Sequence, residues 1–315
     1  MEVLYIGDFI SKNGPSIVDI NLFNNLKKKG IKKEQINKII NKEFLKKIYL
    51  NRVILVSGVS LKGLISIILG KLLKRYTFFI MHGSLKFESN FRRVSFKRKI
   101  IEYLQLKFSN KIICVSEGFS KKIRELYPRF TNKIIFISNG IDLKKEKNFF
   151  PKEKIILIVG GGRREKGVLN VVKAINKIEK LNYVIVVVGE NEKDTKEIRK
   201  FRFVKYLSFL EHDKLISLME KAEIFIQNSF YESFGIAPLE AAQKNCKIIL
   251  SKNVNSRMIL KENTYYCIEN NEDIEEIKQN IELSVLESRF PIFKENRDWK
   301  KVAEEYMKEI KKYYD

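Results

Sequence analysis

Short apolar runs alternate with longer amphipathic segments along this chain, and the pattern is laid down twice. In the first half, the runs 2–6, 52–56, 76–81, 111–115 and 133–137 are rich in Ile, Val and Phe and mostly end on Gly, Ser or Asn. They read as buried strands. Between them, 16–29, 61–73, 91–108 and 117–126 space their apolar residues three and four apart, as in the stripe Ile17, Ile20, Leu22, Phe23 and Leu26. These read as helices. The second half repeats the scheme, with strands at 154–159, 182–188, 203–206, 223–227, 247–250 and 264–268 and helices at 167–178, 213–221, 236–244 and 273–286. Strand–helix alternation predicts right-handed crossovers and parallel sheets covered on both faces. The expectation is therefore α/β, with two Rossmann-like domains, each binding ligands beyond the carboxyl ends of its strands.

The domain boundary is placed near 142–151, where 144–148 is polar and Pro151 blocks regular structure. The domains run 1–148 and 149–297, and a last amphipathic segment, 298–315, follows Pro291 and is expected to pack back on the first domain. At 315 residues and 44% hydrophobic, the chain has enough apolar matter for two cores. Three distant cysteines, Cys114, Cys246 and Cys267, give neither a disulfide framework nor a C-x-x-C metal spacing. No window approaches a membrane span, and the N-terminus reads as a strand and not a signal segment, so a cytoplasmic location is expected.

Charge is distributed unevenly. Residues 1–150 carry 31 Lys/Arg against 11 Asp/Glu (+20), whereas 151–315 carry 30 against 27 (+3). A field of that sign on one half attracts polyanions or anionic lipid headgroups. Segment 91–108 mixes Arg92, Arg93, Lys97, Arg98 and Lys99 with aromatic and aliphatic residues, as interfacial helices do.

Chemistry concentrates in a few places. Tyr231-Glu232-Ser233-Phe234-Gly235-Ile236-Ala237-Pro238-Leu239-Glu240 follows a strand and opens a helix. Gly235 lets backbone approach a ligand, and the N–H groups of Phe234, Gly235 and Ile236 suit an anion. Glu232 before the helix and Glu240 within it can reach hydroxyls of two different ligand moieties. Gly160-Gly161-Gly162-Arg163-Arg164-Glu165-Lys166-Gly167 also follows a strand and reads as a diphosphate cradle, with backbone N–H groups on oxygens and cations beside them. It is neither a Walker loop nor a dinucleotide fingerprint. In the first half, Asn13-Gly14-Pro15-Ser16 joins a strand to a helix with Ser16 as N-cap, and Met81-His82-Gly83 ends a strand, putting His82 at the interdomain cleft. The other histidine, His212, stands at a helix start.

Taken in order, these motifs resemble the retaining glycosyltransferases of the GT-B fold, family 4 (glycosyl transferase group 1). The resemblance is carried by Glu232/Glu240 around E-S-F-G, L-E-A-A at 239–242, G-G-G-R-R-E-K-G at 160–167, V-S-E at 115–117, N-G-I-D at 139–142 and H-G at 82–83. It implies two sheets facing across a cleft, with the second domain binding a nucleotide-sugar. Glu240 would then hold the nucleotide ribose, and Glu232 the donor sugar. The amides of Phe234, Gly235 and Ile236 would meet sugar or phosphate. Lys166 and either Arg163 or Arg164 would stabilise the diphosphate leaving group, with Gly162 and Gly14 beside the donor and His82 positioning the reacting sugar. No D-x-D is present, so the implied chemistry uses no metal and no cofactor. Three features depart from the family: Gly161 and Gly160 stand where its arginine precedes the lysine, Gly14 is followed by Pro15 and not a second glycine, and the chain is short, which the resemblance attributes to a trimmed acceptor domain.

The expected function is transfer of a sugar from a UDP-linked donor to a lipid-linked or glycan acceptor in bacterial surface-polysaccharide assembly, at the anionic inner face of the plasma membrane. Two alternatives stand beside it: a GT-B nucleotide-sugar epimerase, and a nucleic-acid-binding protein. The second rests on charge alone, since no nucleic-acid-binding signature is present.

Overall fold

A computed structural model of the chain describes residues 2–11, 13–141 and 151–313. The stretch 142–150, which holds most of the predicted boundary, lies outside them. The chain divides into two compact units, 1–142 with 297–315, and 143–296.

The first unit runs β1 (Val3–Gly7), α1 (Gly14–Leu26), β2 (Lys32–Gln35), α2 (Lys42–Leu50), β3 (Val53–Ser57), α3 (Leu61–Leu72), β4 (Tyr76–Met81), α4 (Leu85–Glu88), α5 (Phe96–Phe108), β5 (Lys111–Cys114), α6 (Glu117–Leu126) and β6 (Ile134–Phe136). Its six strands are all parallel, in the order β2-β1-β3-β4-β5-β6. The second unit runs β7 (Glu153–Val159), α7 (Val168–Ile175), β8 (Val184–Val188), α8 (Thr195–Ile198), β9 (Val204–Leu207), α9 (His212–Lys221), β10 (Ala222–Gln227), α10 (Ala237–Gln243), β11 (Lys247–Ser251), β12 (Tyr266–Ile268) and α11 (Ile274–Leu286). Its sheet is also wholly parallel, in the order β12-β11-β10-β7-β8-β9. The final helix, α12 (Trp299–Lys311), belongs to the first unit, where Tyr313 beyond it stacks on Tyr76 with ring centroids 3.9 Å apart.

The central strands β1, β3 and β11 are buried at every position, because helices cover both faces of each sheet. The second sheet has the order of a dinucleotide-binding fold. The first has β1 between β2 and β3, which is the other common doubly wound order. In both, the chain reverses direction across the sheet next to its first strand, β1 or β7. The loops leaving the two strands at that switch point diverge and open a crevice.

Several sequence expectations change. β2 was not predicted, because Lys32-Lys33-Glu34-Gln35 has no apolar run. It is an edge strand with Lys32 and Lys33 exposed, and its buried Glu34 accepts from Lys62 Nζ at 2.7 Å and Lys47 Nζ at 2.9 Å. α2 was also missed, its buried stripe of Phe44 and Ile48 being thin among lysines. The helix expected over 91–108 begins only at Phe96, since Ser95 takes an extended conformation (φ −57°, ψ 134°). Ser16 is not the N-cap of α1. Asn13 is, and its side chain accepts from the Ser16 N–H at 3.0 Å while Ser16 Oγ accepts from the Asn13 N–H at 3.1 Å. This capping box leaves Pro15 in the first turn, where a missing N–H is harmless. Among the described residues, no helix is long and apolar enough to cross a membrane.

Candidate active site

The two second-unit motifs come together at its switch point. The segment after β7 and the segment after β10 are stitched together: Phe230 N donates to Glu165 O at 2.8 Å, and the Asn228 side-chain Nδ2 donates to Gly167 O at 3.4 Å. Gly167 has φ +60°, and a side chain there would run into the Asn228 carbonyl oxygen. Only glycine permits that approach. Across the seam Lys166 Nζ forms an ion pair with Glu232 Oε2, and the same oxygen accepts from Gln227 Nε2 at 2.6 Å. Asn255 Nδ2 donates to the Glu232 carbonyl at 2.6 Å, fixing the backbone beneath this carboxylate.

The two stretches expected to supply anion-binding amides differ. The three glycines do not do so. Gly160 N and Gly161 N donate to Val188 O at 2.9 and 3.0 Å, and Gly162 N donates to Glu190 O at 3.1 Å. The three glycines instead let the β7 and β8 loops pack backbone to backbone. A Cβ on Gly162 would lie 2.7 Å from Thr195 N and 2.9 Å from Glu192 O. The Gly162 assignment is thus corrected: its amide is occupied by the fold. By contrast, the N–H groups of Phe234, Gly235 and Ile236 meet no protein acceptor among the described residues. Gly235 has φ +90° there.

The arginines separate as well. Arg164 Nε pairs with Asp194 Oδ1 at 3.2 Å and is half exposed. Arg163 has only a long Nε contact to Gly160 O, 3.5 Å, and no carboxylate partner among the described residues. Glu240, in the first turn of α10, accepts from His212 Nε2 at 2.8 Å. No sequence motif marks His212 for this contact; only the packing of α9 against α10 brings it to Glu240. The hydrogen bond to Glu240 raises its imidazole above the ordinary histidine value, against burial.

His82 and Gly14 lie in the first unit. His82 lines a cavity of about 310 Å³ with Asn13, Pro15, Asp19, Ser57 and Gly83. Asp19, buried on α1, accepts from Tyr5 OH at 2.7 Å, Ser57 Oγ at 2.6 Å and the Asp8 N–H at 2.8 Å. Ser57 Oγ is also 2.6 Å from His82 Nε2. A serine hydroxyl has one proton, and here Asp19 takes it. His82 Nε2 is therefore the donor to Ser57, and in the neutral ring Nδ1 is left as acceptor. Neither Asp19 nor Ser57 carried a motif, and only the meeting of α1, β3 and β4 identifies them. Among the described residues, no three His, Cys, Asp or Glu side chains group to hold a metal ion.

The family described as "Glycosyl transferases group 1" matches residues 141–306, just over half the chain. The "uncharacterized glycosyltransferase MJ1607" of Methanocaldococcus jannaschii is 27% identical over 173 residues, covering 48% of this chain and 44% of that protein. A glycogen synthase of Mycobacterium tuberculosis is 26% identical over 165 residues, 48% of this chain and 39% of that one. Each match spans under half the length of the curated relative. The structure of Anabaena Alr3699/HepE in complex with UDP and glucose superposes with a TM-score of 0.72 at 14% identity, covering 99% of both chains. At that identity the likeness shows the fold.

Proposed function

The chain belongs to the glycosyl transferases group 1 family, and we propose that it transfers a sugar from a UDP-linked donor to an acceptor. The observation that carries this reading is the Lys166–Glu232 ion pair beside three open amides, Phe234 to Ile236. Departure of a nucleoside diphosphate develops negative charge. A fixed cation and preoriented N–H dipoles stabilise that charge more in the transition state than in the bound donor. Lys166 is the first such cation, and Arg163, without a carboxylate, is assigned as the second. Glu232 receives the donor sugar and Glu240 the ribose. Alr3699/HepE, bound to UDP and glucose, has the same fold and supports the choice of UDP.

The finer reading is a retaining, family 4 enzyme that needs no metal, with front-face attack assisted by the leaving phosphate. His82, anchored through Ser57, is the polar positioner of the reacting sugar. The acceptor is a lipid-linked or glycan molecule in surface-polysaccharide assembly, presented at an anionic inner membrane leaflet. The +20 charge of residues 1–150 supports that setting.

The test is a thermal-shift panel of UDP, GDP, ADP and TDP and their sugar conjugates, each with Mg²⁺ and with EDTA. A ligand at ~100 times its Kd adds about 2.7 kcal/mol to the folded state. A shift with one nucleotide class that survives EDTA supports the reading. A shift that needs Mg²⁺ overturns the metal-free part, and no shift overturns the donor assignment. Release of free UDP only when an acceptor is added separates transfer from hydrolysis.

A further inference from the structure

Two helices that flank the donor motif are tied at both ends. At one end His212, the first residue of α9, donates from Nε2 to Glu240 Oε1 of α10 at 2.8 Å. At the other, Lys244, the C-cap of α10, pairs with Glu220 Oε1 of α9 at 2.7 Å, and the lysine side chain is only 8% exposed. The Lys244–Glu220 pair joins the two helices through a contact separate from His212, whose side chain is 41% exposed.

What His212 does fix is the Glu240 carboxylate, which is 15% exposed. One oxygen of that carboxylate is held by the imidazole, and Oε2 has no protein donor among the described residues. A carboxylate clamped through one oxygen presents the other, with the spare lone pair of the first, to two adjacent hydroxyls. We infer that His212 is a positioning residue that presets Glu240 for a vicinal diol, so that the site selects ribonucleoside diphosphates over their 2′-deoxy counterparts. The inference rests on the proposed role of Glu240 at the donor ribose.

The groups facing His212 are Glu240 across the helix pair and Asp213 beside it. The hydrogen bond and charge of Glu240, then the charge of Asp213, favour the imidazolium. Its donation to Glu240 is strongest while charged and weakens as pH rises through the raised value.

The experiment is calorimetric titration of UDP, ADP and GDP, each against its 2′-deoxy form, at pH 6 and pH 8.5. It uses the full chain as wild type, His212→Ala, His212→Gln and Glu240→Ala, with thermal melts confirming that each is folded. In the wild type the ribonucleotide binds about tenfold more tightly than the deoxynucleotide, and more so at pH 6. His212→Ala brings the two to within about twofold by weakening the ribonucleotide alone, a loss of one hydroxyl-specific interaction. His212→Gln, which keeps an N–H donor, restores part of the preference and removes its pH dependence. If all nucleotides lose affinity equally in His212→Ala, the residue acts through structure or charge and the inference is overturned. A wild-type preference retained in His212→Ala, with Glu240→Ala weakened, also overturns it while sparing the Glu240 role. If Glu240→Ala binds as wild type, or no nucleotide binds, the donor reading falls and the inference with it.

Discussion

Lys166 and Glu232 are 66 residues apart in the chain and meet as an ion pair with side chains only 13% and 15% exposed. The contact exists because the sheet order places β7 beside β10, so two loops from distant parts of the sequence leave neighbouring strands at one edge. On the proposed reading, a donor diphosphate at this edge would share the lysine with Glu232, and part of the lysine's charge would be redirected on binding.

Lys166→Ala removes that charge and leaves Glu232 to Gln227. Turnover should fall by about 100-fold or more, the scale of losing one transition-state electrostatic group, with a much smaller rise in donor KM. Arg163→Ala should follow with a smaller loss, and Arg164→Ala, whose guanidinium is tied to Asp194, should change turnover little. Steady-state kinetics on the three variants check the order, and wild-type turnover in Lys166→Ala would remove the diphosphate assignment.

Much of the candidate site's placement was legible in the sequence, and for physical reasons. Glu232, Lys166 and the F-G-I amides sit on motifs that place them at strand ends and a helix start. The strands around them are long apolar runs with one interpretation. What stayed hidden depended on tertiary meeting. Asp19 and Ser57 look like ordinary helix and strand residues until α1 and β3 bring them to His82. β2 is a strand only because β1 offers it a parallel partner, Leu4 opposite Lys32. The occupied amides of Gly160, Gly161 and Gly162 were not legible, because spacing reveals where an amide is but not whether another carbonyl already holds it.

That last point separates two glycines experimentally. Gly162→Ala drives a methyl group into the backbone of Glu192 and Thr195 and should cost about 1–3 kcal/mol, the range for overpacking. Gly14→Ala meets nothing within 4 Å at the start of α1, so stability should stay within about 0.5 kcal/mol of wild type. Thermal melts measure both. If Gly14→Ala nevertheless loses activity, that glycine is needed for the close approach of a ligand.

Removing Asp19 should be far more damaging than removing Ser57. Asp19→Ala strands the buried Tyr5 hydroxyl, at a cost of about 1–3 kcal/mol, takes the acceptor from the partly buried Asp8 amide, and leaves Ser57 Oγ only His82 as a partner. Ser57→Ala removes one hydroxyl and should fold, but it takes away the 2.6 Å contact and leaves His82 Nε2 only Asp19 Oδ1, at 3.4 Å. With two histidines in the chain, imidazole NMR resolves the effect: the His82 resonance should shift and broaden while that of His212 stays put. An unchanged His82 signal would mean that Ser57 does not hold the ring.

Acid should weaken the first unit through Glu34. Burial alone would raise its carboxyl, but hydrogen bonds and charge from Lys62 and Lys47 outweigh burial and hold it below the ordinary value. A depressed acid contributes stability that is complete above its unfolded value, 4.5, and is lost as pH falls through the lower folded value. Glu34→Ala leaves Lys62, 5% exposed, buried without its partner, which should cost about 3–5 kcal/mol at pH 7. The difference in Tm between wild type and Glu34→Ala should shrink from pH 7 towards pH 3. A constant difference would refute the linkage.

The outer face of α5 provides the last test. Phe96, Ile100 and Tyr103 are 75%, 41% and 38% exposed, and at spacings of four and three they share one face of the helix. Lys97 and Arg98 flank them and are also exposed. An apolar stripe turned away from the core and edged by cations suits an interface in which rings enter the headgroup layer and lysines meet phosphates. Each cation near an anionic surface contributes about 1 kcal/mol, and each buried ring about 1.5–3 kcal/mol. Co-sedimentation with phosphatidylserine vesicles should therefore fall sharply between low and high salt, and Phe96→Asp should weaken it at least tenfold with turnover on a water-soluble acceptor unchanged. Equal binding to neutral vesicles, or indifference to Phe96→Asp, would leave the basic half without a membrane role.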